Sequence, residues 1–444
     1  MATSTRTRRA RPVPTGRFAL LVALVGLPVV LVRSDSWWPA AVGLAVVVAV
    51  AVGDGLAAVR PRDVLVTRSL PGTLVVGESS QIVWEVRSTA DRSVRVVVAD
   101  TIWPSFGASR RSSDFVLAPD RMHRFGARVE PQRRGRFPFG AVTVRTHGPL
   151  GLVALHHQRD LPDSVAVMPA HPSRERLRTR LRVPLETGIR SVRTRGTGTE
   201  FDQLREYRHG DEFRKVDWAA TARHQHVVVR DYRAERNQHV VAMLDNGRIM
   251  AGRVGDAPRV EHAMDAVLGL THVASHLGDN VGLLTFDSQV RGIVPARNAR
   301  SQFGRVAEAM YLLDPALEES AYRTAFTSAA SRFRRRSLFV VFTELVETVV
   351  GEELVPALNA LTRTHLVVVA CVRDPDIARW AGETGHARAA TAYRSAAAIA
   401  SIESRERAIA RLRSMGAIVV DARPGDLAVD VVDTYIELKS TGRL

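Results

Sequence analysis

The chain has 444 residues, 45% hydrophobic and 24% charged, which is enough for two or three domains with ordinary packed cores. One cysteine excludes an internal disulfide and a cysteine-built zinc site. The net charge of +16 is almost all arginine, since Lys215 and Lys439 are the two lysines; with no G-x-x-x-x-G-K-S/T loop the chain is not a P-loop nucleotide hydrolase.

Two apolar stretches open the chain. Phe18 to Val32 is apolar throughout, "SDS" interrupts at Ser34 to Ser36, and Trp37 to Val59 is apolar again apart from Asp54. The second stretch is long enough to cross a bilayer, which takes about 20 residues. The first is at the short limit and would rely on Arg17 and Arg33 reaching to the interface. A cleaved signal peptide is the competing reading of the first stretch, but no A-x-A-like site follows it. Arginines flank both outer ends, so a hairpin with both termini in the cytoplasm is expected. The folded domains then lie in the cytoplasm, at the cell inner or plasma membrane, where one unpaired cysteine suits a reducing compartment.

From Asp63 to about Ala170 the apolar period becomes two. In "QIVWEVRS", Ile82, Trp84 and Val86 share a face opposite Val83 and Glu85. Further short runs follow, "SVRVVVADTIW", "HRFGARVEP", "GRFPFGAVTVRTHGPLGL" and "DSVAVMPA", separated by Gly, Pro, Asp and Ser. This pattern predicts a small antiparallel sandwich. His156 and His157 are adjacent, so on a strand they point to opposite faces and make a poor metal pair.

From Gln238 onward apolar strands alternate with amphipathic helices. Strands are expected at Val240–Leu244, Val281–Phe286, Val290–Val294, Ser337–Phe342, His365–Val372 and Ala417–Asp421. Helices are expected at Arg259–Leu277, Ser301–Leu313, Gly351–Arg363, Tyr393–Met415 and Asp426–Leu438. The order predicts a mostly parallel sheet covered on both faces, with Val281–Val294 as an edge hairpin. Sites in such sheets lie outside the carboxyl ends of the strands. Two acids stand there, Asp245 after the first strand and Glu344 after "SLFVVFT". His272 and His276 have the i, i+4 spacing of a zinc pair without the H-E-x-x-H glutamate. Cys371, inside an apolar run, reads as a core residue.

The connector is dense in both charge signs yet punctuated by Phe201, Leu204, Tyr207, Phe213, Val216 and Trp218. A disordered linker would not carry so many large apolar groups. It reads as an ordered strap whose apolar residues pin it to a domain, while Glu200, Asp202, Glu206, Asp211 and Asp217 pair with Arg205, Arg208, Arg214 and Arg223. Gly210 and Asp211 form a turn within it.

The run "GTEFDQLREYRHGDEFRKVDWAATAR" followed by "VVVRDYRAER" resembles the signature of the bacterial family called domain of unknown function 58. That signature reads G-x-E-F-x-x-L-R-x-Y-x-x-G-D-x-x-R-x-I-D-W-x-x-S/T-A-R, and Val216 for Ile is a conservative departure. The resemblance implies a four-part chain. Residues 1–62 form a basic N-terminus with two transmembrane helices, 63–170 a β-sandwich-like domain, 171–236 the connector with the strap, and 237–444 an α/β von Willebrand factor A-like domain. Such domains often hold Mg²⁺ through D-x-S-x-S at the end of the first strand, with a distant Thr and a later Asp. Here Gly247 and Ile249 stand in the serine places, and Glu344 stands for the later Asp. Asp245 is therefore expected to be the remnant of a metal site that binds Mg²⁺ weakly or not at all, with Arg248 turning inward to neutralise it. A turn-capping role for Asp245 is the alternative. The resemblance further implies partners: a MoxR-type AAA+ ATPase and a transglutaminase-like membrane protein.

Three functions are compatible with these residues. The first is a membrane-anchored interaction or scaffold protein, accessory to an ATPase in assembly or maturation of other proteins. The second is an enzyme using Asp245 and Glu344, for which no nucleophile–base motif is present. The third is arginine-rich binding of nucleic acid or a lipid surface, led by "SRERLRTRLR" at Ser173 to Arg182; no specific nucleic acid is expected.

Overall fold

A computed structural model describes residues 10–32, 38–179, 200–208, 211, 213, 216–233, 237–383 and 389–444. The chain divides into two units, Met1–Met168 and Pro169–Leu444.

The first unit begins with strand β1 (Arg11–Pro14) and the apolar helices Gly16–Val32 and Trp38–Ala57. The second of these begins the one helix among the described residues that is long and apolar enough to cross a membrane; the apolar stretch at Gly16–Leu27 is shorter. The loop at Ser34 to Ser36 lies outside the described residues. Eight strands follow: β2 (Val64–Ser69), β3 (Thr73–Val75), β4 (Ser80–Ser88), β5 (Val94–Asp100), β6 (Ser112–Leu117), β7 (Met122–Val129), β8 (Gly135–His147) and β9 (Val153–Met168). They form one sheet in the order β1-β9-β8-β5-β6, with β3 parallel to β9, and a second in the order β2-β4-β7.

The alternation read from the sequence decides which side chains meet between the sheets. Ile82, Trp84 and Val86 of β4 face Val96, Val98, Val142 and Val144 of the larger sheet. One ion pair shares this core: Arg68 meets Asp100 at 3.0 Å, with the two side chains 1% and 2% exposed. The Trp84 indole N–H donates to the same carboxylate at 2.8 Å, and the guanidinium lies over the Phe139 ring. These extra partners offset part of the cost of burying the charge pair, while Arg68 Nε stays buried without an acceptor. The arginine-rich flank of the first apolar stretch also holds a strand, β1, whose "RPVP" carries two prolines. It forms at the sheet edge, where missing N–H groups cost little.

In the second unit, β10 (Glu200–Glu206) and β11 (Val228–Arg233) make an antiparallel ribbon. Then come β12 (His239–Asp245), the short pair β13 (Arg253–Val254) and β14 (Ala257–Pro258), β15 (Asn280–Phe286), β16 (Val290–Arg297), β17 (Ser337–Phe342), β18 (Leu366–Val372) and β19 (Ile418–Ala422). Six of these form one sheet in the order β16-β15-β12-β17-β18-β19. Its pairings are parallel except for β15–β16, the edge hairpin. Val241 and Met243 of β12 join Phe339, Val341, Tyr322, Phe326 and Leu358 in one core. Val240, Ala242 and Leu244 are equally buried on the opposite face, towards helices Arg259–His276 and Leu427–Ser440. Burial on both faces is why these strands read as unbroken apolar runs.

Two helices were not anticipated, Tyr322–Arg332 and Pro375–Ala381. The first, "YRTAFTSAASR", is built on small residues and shows only Tyr322, Ala325, Phe326 and Ala329 to the core. The helical run Glu347–Thr362 loosens into a π-turn over Val350–Leu354 just before Pro356, whose missing N–H breaks the regular ladder.

Candidate functional site

Strand β12 has β15 on one side and β17 on the other. Chain order therefore reverses at β12, and a crevice opens beyond the strand ends there. Asp245 closes β12 and is fully buried. Its Oδ1 accepts from Ser320 Oγ at 2.5 Å and from the Gly247 N–H at 2.9 Å. Its Oδ2 accepts from Tyr322 at 2.8 Å and from Thr343 at 2.7 Å. Burial pushes the Asp245 carboxyl up, against the pull of these hydrogen bonds. Burial and then the neighbouring carboxylate push the Tyr322 phenol up as well.

The proton count agrees with that direction. Tyr322 and Thr343 lie 2.8 Å from each other, so three oxygens make three short contacts. With both hydroxyls donating to Oδ2, the Tyr322–Thr343 contact is left without a proton of its own, and this crowding of oxygens acts with burial against the ionised form.

Gly247 is part of this construction. A Cβ there would lie 2.0 Å from Ser320 Oγ. The hydroxyl expected at position 247 thus reaches the carboxylate from residue 320 instead. The expectation that Arg248 neutralises Asp245 is corrected: its guanidinium pairs with Glu319 at 3.0 Å, with both side chains exposed. Four hydrogen bonds already satisfy the buried carboxyl, and an exposed arginine keeps its hydration.

Glu344 is not a partner of Asp245. It is held by Arg259 at 2.7 Å and by Arg405, and Arg405 also grips Asp421 at 2.9 Å. Burial alone would lower the Arg405 guanidinium, but the charges of Glu344 and Asp421 raise it above its ordinary value. Cys371 lies under this network, and burial pushes its thiol well up. Among the described residues no group of three or more His, Cys, Asp or Glu could hold a metal ion. These donors do not fit a resident Mg²⁺. Each Asp245 oxygen already accepts twice, Glu344 is neutralised by arginine, and an octahedral ion needs converging oxygens.

Beside the network a cavity of about 780 Å³ opens at the ends of β17, β18 and β19. Arg373 and Arg423, each directly after one of the paired strands β18 and β19, line it and are exposed. Among the described residues no ion pair engages either guanidinium.

The strap is a ribbon rather than an irregular tie. Arg205 and Asp211 meet fork to fork at 2.7 and 2.8 Å, and Arg205 also donates to the Glu206 carbonyl at 3.2 Å. Asp217 caps helix Trp218–His224 through the Ala220 N–H and pairs with Arg230 at 2.8 Å. That hydrogen-bonded arginine, and then the Ala220 N–H, hold the Asp217 carboxyl below its ordinary range. Arg223 bonds the Ala219 carbonyl at 3.2 Å. The expectation that apolar residues pin the strap is also corrected. Val216 is buried, but Leu204, Phe213 and Trp218 are 40%, 73% and 65% exposed, and Tyr207 packs on Phe213. A two-stranded ribbon has two faces; one is packed, with Val216, Val228 and Val229 buried against helix residue Ala220, and the other stays in solvent. The side chains of Glu200, Phe201 and Asp202, and all of Gly210 and Arg214, lie outside the described residues.

The tract beginning at Ser173 is described as far as Thr179. Leu177 is buried against Gly269, Arg176 pairs with Asp426, and Ser173 and His171 bond Asp265 at 2.8 and 2.6 Å. As far as Thr179 the segment is docked through Leu177 and Ser173, while Arg174, Arg176 and Arg178 stay exposed. His272 lies half-buried, where burial lowers its imidazole.

Sequence reasoning found Asp245 and Glu344 but missed Ser320, Tyr322, Thr343, Arg259 and Arg405. Thr343 was visible as the neighbour of Glu344; the others carry no local signal.

Several known proteins are similar to this chain. Uncharacterized proteins of Mycobacterium bovis and Mycobacterium tuberculosis are each 25% identical over 182 residues, which is 40% of this chain and 56% of the relative. The chain thus spans about half the length of the curated relatives it matches. Among solved structures, BatB, a conserved hypothetical protein from Bacteroides thetaiotaomicron, matches at 15% identity. It covers 46% of this chain and 99% of its own, with a TM-score of 0.31. A PapD-like domain of human CEP192 matches at 14% identity over 24% of this chain and 87% of its own, with a TM-score of 0.19. Residues 203–383, from the ribbon through the Asp245 cage to the end of helix Pro375–Ala381, match the family described as "Protein of unknown function DUF58".

Proposed function

We propose that the protein is a membrane-anchored cytoplasmic platform that engages a MoxR-type AAA+ ATPase, and beside it a transglutaminase-like membrane protein, in assembly or maturation of other proteins. Its α/β unit is then a von Willebrand factor A-like domain in which hydrogen bonds replace the metal. The match to that family over residues 203–383 and the apolar helix support the anchor. The observation that carries the reading is the pair of exposed guanidiniums, Arg373 and Arg423, over the cavity at the carboxyl edge of the sheet. Arginine forks suit carboxylates on a partner surface. Charge presented without a counter-ion on a rigid strand end favours recognition. An enzyme would need a free acid or base, whereas Asp245 has four hydrogen-bond partners and Glu344 two arginines.

The test is binding of the detergent-solubilised chain to the MoxR-type ATPase of the same cell, followed by interferometry. Joint Arg373→Glu and Arg423→Glu substitution is expected to weaken binding at least tenfold, whereas Arg110→Glu on the β-sandwich leaves it intact. Equal affinity for all three proteins would remove the crevice from the interface, and no binding to the unsubstituted chain would reject this partner.

A further inference from the structure

Asp54 is the one acid in helix Trp38–Ala57, and it is 3% exposed. At a rise of about 1.5 Å per residue the helix spans roughly 30 Å, the thickness of a hydrocarbon core, and Asp54 lies within about 5 Å of its end. The carboxylate points into the turn between β8 and β9. Oδ1 accepts from the Leu150 N–H at 2.7 Å; Oδ2 accepts from Leu152 at 2.8 Å and from Val153 at 3.0 Å. A Cβ on Gly148 would lie 2.4 Å from that carboxylate, so glycine is what lets the turn approach. The turn's carbonyls are met too. Thr15 Oγ1 donates to Gly151 at 2.6 Å and the Arg17 guanidinium to Leu150 at 3.3 Å. What the turn shows outward is apolar: Pro149 is exposed and Leu150 is 56% exposed, and Leu56 on the same end of the helix is 84% exposed.

In water a surface turn needs none of these partners. In lipid each unmet amide costs several kcal/mol and so does an unmet acid. Here each satisfies the other, and apolar side chains cover the outside. We infer that the turn Gly148–Val153 is a lipid-immersed anchor, seated beside the last turn of the membrane span with Pro149 and Leu150 against acyl chains at the headgroup boundary. The inference rests on the membrane-anchor reading above and adds a second element to it.

The test uses the full chain in vesicles of equal phosphatidylcholine and phosphatidylglycerol. An environment-sensitive fluorophore is placed by Leu150→Cys in a Cys371→Ala background, with Val46→Cys as the span control and Arg110→Cys as the aqueous one. Lipids spin-labelled near the headgroup should quench the Leu150→Cys label several-fold more than the Arg110→Cys label, and iodide several-fold less. Adding Asp54→Leu should reverse that order at Leu150→Cys and leave Val46→Cys unchanged. If Val46→Cys is quenched by lipid while Leu150→Cys is quenched by iodide, the turn stands in water and the inference is wrong though the span survives. If iodide quenches Val46→Cys as well, the anchor reading fails and the inference with it.

Discussion

Ser320 fills the space that a side chain at Gly247 would need. An ideal Cβ on Gly247 lies 2.0 Å from the Ser320 hydroxyl, which in turn sits 2.5 Å from Asp245 Oδ1. The backbone of Gly247 is extended, with φ −80°, so glycine is needed here for room and not for conformation. Gly247→Ala should therefore displace Ser320 and cost about 1–3 kcal/mol, as overpacking does. That is a fall of about 2–4 °C in Tm per kcal/mol for a unit of this size. With Ser320→Gly already present, the same alanine should cost clearly less. Strict additivity of the two changes in scanning calorimetry would show that they do not share this space.

The Asp245 cage also fixes the sign of a pH effect. Burial raises this carboxyl above its ordinary value near 3.8, so the folded state holds the proton more tightly than the unfolded one. The stability this contributes is complete below the ordinary value and is lost as pH rises through the raised one. Asp245→Asn keeps the shape and has no proton to lose. Its amide oxygen can accept from Ser320 and Gly247 while its NH₂ faces Tyr322 and Thr343. The stability of the natural chain minus that of the Asn variant should fall as pH rises above the ordinary carboxyl value of 3.8. A difference that grows with pH would mean the cage holds an ionised acid.

What could be read in the chain was local. Ser337–Phe342 is six buried residues with no polar interruption, so the strand and the acid following it were legible together. Asp245 was legible for the same reason. Its partners were not, because Ser320 and Tyr322 lie 75 and 77 residues away, just before and at the start of helix Tyr322–Arg332, and nothing beside Asp245 in the sequence points to them. Arg248 was chosen for its nearness in sequence, yet the turn aims it at Glu319. Leu204, Phe213 and Trp218 looked like core residues because size was taken for burial, whereas a ribbon exposes one of its faces. Asp54 stood out as the lone acid of an apolar span, but the amides that receive it belong to a turn 96 residues later.

The ribbon makes its own prediction. Arg205 and Asp211 are 26% and 12% exposed and meet in a two-bond fork. Arg205→Glu sets two carboxylates against each other and should cost about 1–3 kcal/mol, between the surface and buried limits. Adding Asp211→Arg restores opposite charges in the reverse sense and should recover part of that loss. Thermal unfolding of the single and double variants checks this. A single variant as stable as the natural chain would make the fork a surface decoration.

The last prediction concerns metal. The family's pattern would place hydroxyls at 247 and 249, and Gly247 and Ile249 have none. Ser320 and Thr343 bring hydroxyls back, but as donors to Asp245, and Tyr322 closes the remaining approach to Oδ2. Mg²⁺ would have to turn three hydroxyls and shed several waters for a single carboxylate, since Glu344 is committed to Arg259 and Arg405. A carboxyl that already accepts four hydrogen bonds and a glutamate held by two arginines cannot supply the near-octahedral oxygens this ion demands. Titration calorimetry of the solubilised chain with Mg²⁺ and with Mn²⁺ should show no saturable heat at micromolar metal, and ATPase binding should survive chelation by EDTA. Micromolar binding that Asp245→Ala abolishes would reverse this conclusion, and would make the Asp245 crevice, rather than Arg373 and Arg423, the contact with the partner.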